Sequence, residues 1–132
     1  MVRPHLILIG YWRREEGGGL PADHRWPSPQ SYVGETWDEV ERDQVHEYLT
    51  GGFVVRACMG SSPCRLCGVS NGSLELSDAV YVWPEGLAHY VRDHGVRPPE
   101  PLVTHVLSTT EELEMAGRDE SWWRGQIGSG ET

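Results

Sequence analysis

Cys64 and Cys67 stand with two residues between them in Pro63-Cys64-Arg65-Leu66-Cys67-Gly68. After 21 further residues come His89 and His94, with four residues between them. Two thiolates on a tight turn and two imidazoles near a helix end can close a tetrahedron around one zinc ion. The middle spacer is longer than in the usual finger, but both ends fit. The other chemistry open to a C-x2-C pair is dithiol redox, which places the cysteines after a strand at the start of a helix. Here Gly68 and Asn71-Gly72 follow, so a turn is expected and the pair reads as a zinc knuckle.

The histidines set a geometric condition. Five steps along an ideal helix turn about 500°, so the two rings would diverge by about 140°. His94 can join His89 at one ion only where the helix is ending, as Gly95 suggests. Cys58 and His105 are the substitute ligands. Cys58 lies in an apolar run and reads as a core cysteine; His105 reads as a packing or hydrogen-bonding residue. Glu85 falls one helical turn before His89. It could orient the imidazole or act as general base on a zinc-bound water, although a glutamate complementing the helix dipole needs neither role.

These residues must be positioned by the elements around them. Leu6 to Trp12 reads as a buried first strand. Residues 15 to 31, with Gly17-Gly18-Gly19, Pro21, Pro27 and Pro29, read as a long loop pinned by Trp26. Thr36-Trp37-Asp38-Glu39 reads as a capping box with Thr36 as N-cap. A helix with an apolar stripe (Trp37, Val40, Val45, Tyr48, Leu49) runs on to Gly51-Gly52. Phe53 to Cys58 reads as a second strand. Leu74–Leu76 and Val80–Val82 read as a hairpin, and Pro84 as the first position of the histidine helix. Gly95 ends that helix, with Val96 supplying the apolar contact. Pro98-Pro99-Glu100-Pro101 leads to a short helix over 102–107. A second helix over 110–115 is capped by Ser108 and Glu111, Trp122-Trp123 form an aromatic anchor, and residues 125–132 a flexible tail.

The chain of 132 residues is 38% hydrophobic and 23% charged. This suits one soluble domain, 1–132, with its zinc-binding core at 53–107. Its net charge of −9 opposes non-specific nucleic-acid binding. The 11 cations are all arginine, so no lysine serves a Schiff base or a P-loop. An odd count of three cysteines, two of them in C-x2-C, fits a reducing compartment. With no membrane-length apolar run and no signal-peptide core, a cytoplasmic protein is expected. Pro63-Cys64-x-x-Cys67 is half of the zinc-deaminase signature, but the H-x-E half is missing. H-E-x-x-H, G-x-S-x-G, G-x-G-x-x-G and Walker A are missing too. The helix bearing Glu85, Arg92 and Asp93 is not basic, unlike a DNA-reading finger.

Cys64-Arg65-Leu66-Cys67-Gly68, Asn71-Gly72-Ser73, Glu75 and Trp83 through His94 resemble a family of small bacterial proteins of unknown function. That family carries a C-R-x-C-G…N-G…W-P-E-G-L-x-H-Y-V-x-x-H pattern. The resemblance covers roughly residues 53 to 107. It implies a shared metal-bearing core with Cys64, Cys67, His89 and His94 as ligands, without Cys58, and it implies no activity.

The expected fold is α+β: strand, helix, strand, then a knuckle hairpin and helix closing on one Zn2+, then short helices. The favoured function is a structural zinc in an interaction or accessory module with a protein partner. Trp26, Tyr32, Trp122 and Trp123 are candidates for its contact surface. The alternative is a hydrolase- or lyase-type enzyme with an open Cys2His site and Glu85 as base.

Overall fold

Trp83 is the fully buried centre of the molecule. In this structure, a computed structural model describing residues 5–14 and 22–129, four strands and four α-helices assemble around it. The strands are β1 (Ile7–Leu8), β2 (Phe53–Ala57), β3 (Leu74–Ser77) and β4 (Tyr81–Pro84). They form one sheet in the order β1-β4-β3-β2, with β1 parallel to β4 and the other pairs antiparallel. The helices are α1 (Glu39–Thr50), α2 (Leu87–His94), α3 (Glu100–Met115) and α4 (Ser121–Ser129). The chain is thus an α+β domain with a small mixed sheet. Gly17–Gly19 of the expected loop and Gly130–Thr132 of the expected tail lie outside the described residues.

The first helix begins two residues later than the capping box suggests. Asp38, not Thr36, is the N-cap, and its carboxylate accepts from Glu41 N at 2.9 Å. Both residues are good caps; the one that meets the free N–H groups is Asp38. Gly51 closes α1, and Gly52 follows where any side chain would collide with Trp83, 2.8 Å from the would-be Cβ. The Trp83 indole donates to Leu49 O at 3.1 Å, tying β4 to the end of α1. Val45 and Leu49 of α1, Leu87 and Val91 of α2, and Leu102, Val103 and Val106 of α3 complete the core.

Two strands are less buried than their composition suggests. The first is only Ile7–Leu8, with Ile7 54% exposed, because it pairs on the outside of β4. Gly10, at φ +83°, then turns the chain under the Leu87 side chain, and burial resumes at Trp12. Every residue of β2 is exposed because β2 is the opposite edge, and Cys58 beyond it is exposed too, not a core cysteine. The β3–β4 hairpin is as expected.

Pro84 ends β4 and does not open α2, whose N-cap is Gly86. Gly95, at φ +62°, ends α2, and the buried Val96 donates to Tyr90 O at 3.1 Å. The two short helices expected over 102–115 are one helix, α3. Pro101 falls in its first turn, where no helical N–H is lost. No breaker separates Leu107 from Thr110, so Ser108 stays helical and caps nothing. Trp122 and Trp123 do not anchor the chain: each is 72% exposed, and Gly125–Ser129 continue α4 where a frayed tail is expected.

Candidate metal centre

The cysteine knuckle is built by its own backbone. Cys64 N donates to Val69 O at 2.8 Å, and Gly68 N returns to Cys64 O at 2.9 Å. Gly68 has open space where a Cβ would be, but its φ is +77°, so the turn requires glycine for its conformation. Leu66 N points at Cys64 Sγ at 3.4 Å, holding the sulfur at the mouth of the knuckle. Arg65 N donates to the Tyr90 hydroxyl at 2.6 Å, which moors the knuckle to α2. Burial first, with the nearby Cys64 adding to it, pushes the Tyr90 phenol up to about 12, so it stays protonated.

A second clasp joins the knuckle to the entrance of α2. Glu85 Oε1 accepts from Ser73 N at 2.6 Å and Leu74 N at 3.0 Å. Gly72, at φ +90°, lies where a Cβ would strike the Glu85 side chain; a Cβ on Gly86 would strike Asn71. The Asn71 amide donates to Gly86 O at 3.1 Å. Asn71-Gly72 and Glu85-Gly86 therefore interlock.

This framework brings Cys64, Cys67, His89 and His94 together, with one ligand atom from each lying within 4.8 Å of all the others. Cys64 Sγ is 3.5 Å from His94 Nε2, and Cys67 Sγ is 3.4 Å from His89 Nε2. A tetrahedral ion with metal–sulfur bonds of about 2.3 Å and metal–nitrogen bonds of about 2.05 Å separates S from N by about 3.6 Å. The donors therefore stand at coordination spacing, and the group can hold a metal ion. The imidazole centroids are 5.0 Å apart. The angular condition is met because α2 stops at His94. Cys64 is buried, Cys67 exposed, and both histidines are partly covered.

The carboxylate on His89 is Asp93, one helical turn on. Its Oδ2 is 2.7 Å from His89 Nδ1. With Nδ1–H directed there, Nε2 presents its lone pair to the ion. The sequence pointed to Glu85 for this orientation and gave Asp93 no role, though the i, i+4 spacing from His89 was readable. The substitute ligands stand outside the group: His105 Nε2 pairs instead with Asp78 Oδ2 at 2.7 Å, and Cys58 is not among the four residues whose ligand atoms converge. Burial pushes Asp78 up, but bonds from Tyr48, the Tyr81 and Val80 amides and His105 outweigh it and hold its carboxyl below the usual range.

Fold and site together define a small α+β domain with a Cys2His2 cluster. Comparison with protein-family models, curated proteins and solved structures returned no match. The functional reading therefore rests on the geometry.

Proposed function

We propose that this protein is a zinc-binding module whose ion is structural, and that it acts as an interaction or accessory domain. The observation that supports this is the donor set: two sulfurs and two imidazole nitrogens within 4.8 Å of one another, enough to complete a tetrahedral shell without a water or substrate. Two thiolates with two imidazoles favour zinc over oxygen-seeking cations. Glu85, the base that an open site would use, accepts two backbone N–H bonds, which supports the structural role. The ion would pin the knuckle to α2 and stabilise the fold by holding elements distant in sequence. The same staple would serve the small bacterial proteins that the 64–94 pattern resembles.

A partner surface is offered by α4, where Trp122 and Trp123 stack at 6.0 Å and Ile127 is 70% exposed. Trp26 and Tyr32 are partly buried against Tyr11 and Trp12, so they contribute less to such a surface. The acidic charge supports a protein partner over a nucleic acid. No helix among the described residues is long and apolar enough to cross a membrane.

X-ray absorption at the zinc edge tests the reading. A shell of two sulfurs and two nitrogens is expected, with chelation lowering the thermal midpoint by on the order of 10 °C. A shell with one nitrogen replaced by oxygen, or a midpoint indifferent to chelation, would overturn it.

A further inference from the structure

The two cysteines of the metal centre meet solvent differently. Cys64 is 3% exposed, whereas Cys67 is exposed. Their sulfurs lie no more than 4.8 Å apart, and a disulfide joins sulfurs at about 2.05 Å. The third thiol, Cys58, is exposed as well, but it stands outside the converging group. The knuckle therefore sets one accessible cysteine beside one sheltered cysteine. An oxidant-sensitive thiol with a resolving neighbour has this arrangement.

The backbone around the pair holds it without help from sulfur. Cys64 N donates to Val69 O, and Gly68 N to Cys64 O, which closes the turn. Arg65 N on the Tyr90 hydroxyl, the Asn71 amide on Gly86 O, and the Ser73 and Leu74 amides on Glu85 Oε1 fasten the knuckle to the entrance and body of α2. None of these bonds uses a ligand atom, so new chemistry at the sulfurs leaves them in place.

We propose that the knuckle is a redox switch on the metal site, thrown by a hydroperoxide. This rests on the reading of the site as a zinc centre and adds its regulation. The thiolate is the reactive form of cysteine, and a metal-bound cysteine is already deprotonated. Cys67 Sγ attacks one oxygen of hydrogen peroxide, the O–O bond breaks, hydroxide leaves, and Cys67 becomes a sulfenic acid. Cys64 Sγ then attacks the Cys67 sulfur, the S–O bond breaks, a second hydroxide leaves, and the disulfide forms. The two thiolates give up two electrons in all, which reduce one peroxide to two hydroxides. A disulfide has no thiolate to offer a metal, so the donor set falls to His89 and His94 and zinc is released. The turn at Gly68, φ +77°, follows the pair where a thioredoxin-type dithiol would open a helix. The site is therefore a switch and not a disulfide-exchange catalyst.

The test uses the full chain loaded with zinc, with Cys58→Ser beside it so that only the knuckle thiols remain. Hydrogen peroxide is added in steps, zinc release is followed with a chromophoric indicator, and the products are mapped by mass spectrometry. The expected result is release of roughly one zinc per peroxide consumed, with a Cys64–Cys67 disulfide as the product in both proteins. A sulfenic-acid trap present during oxidation is expected to mark Cys67. The folded circular-dichroism spectrum is expected to persist, and dithiothreitol with added zinc to restore the starting state. Zinc retained at peroxide levels that oxidise Cys58, a disulfide through Cys58, a trap on Cys64, or release only through sulfinic acid or unfolding would each overturn the switch. A protein that never takes up zinc overturns the zinc reading and the switch together; one that takes it up and keeps it under peroxide overturns the switch alone.

Discussion

Asp93 sits in the last turn of α2, where an acid opposes the helix dipole. A residue that bears such a cost has a compensating partner, and here it is His89 Nδ1 at 2.7 Å. Asp93→Ala is expected to weaken metal affinity by roughly 10- to 100-fold while leaving the zinc-saturated fold intact. Competition against a chromophoric chelator measures this directly. The four ligands themselves were legible because a C-x2-C turn followed by a histidine pair near a helix end serves few purposes besides holding a metal. Asp93 was hidden by its ordinariness, and Glu85 misled because a glutamate at a helix start invites a dipole or proton-transfer reading. Its actual partners, the amides of Ser73 and Leu74, lie at the entrance of β3, which one-dimensional spacing does not bring near.

Among the elements, the β3–β4 turn concentrates the most polar contacts on one side chain. Asp78 Oδ1 accepts from Val80 N and Tyr81 N at 3.0 and 2.8 Å, and Oδ2 accepts from Tyr48 and His105. The turn also holds Ala79 at φ +80°. The folded carboxyl titrates below its usual value of 3.8. Its contribution to stability is therefore fully present above that value and lost as pH falls through the lower folded one. Asp78→Asn should cost about 1–2 kcal/mol at neutral pH, and the gap to wild type should narrow as pH falls below the usual carboxyl value in urea titrations. The turn and α2 were readable from alternation, glycine placement and the Gly95 stop. The burial of β1 and β2 was not, since β-branched runs describe a strand without saying whether it lies at the centre or the edge. The unity of α3 was missed for a related reason: Ser108 followed by Glu111 resembles a cap wherever it occurs, and only packing through Leu107 decides that the helix runs on.

At the scale of the whole molecule, one core unites α1, α2, α3 and the sheet, and α4 adds nothing to it. Every described side chain of α4 is exposed. A chain ending at Ala116 should retain its unfolding free energy to within about 0.5 kcal/mol, measured by urea denaturation with zinc present. The same truncation should abolish any association mediated by Trp122 and Trp123.

The register shift between Val54 and Arg56 has a consequence for how copies of this protein behave at high concentration. The outer side of β2 is an open edge, with Phe53 71% and Val54 60% exposed. A flat edge of that composition invites a second copy to add its own strand and seed a precipitate. The bulge bends β2 and increases its twist, so two such edges laid side by side lose alignment within a few residues. Together with the mutual repulsion of copies carrying a charge of −9, this kink disfavours edge-to-edge pairing of copies.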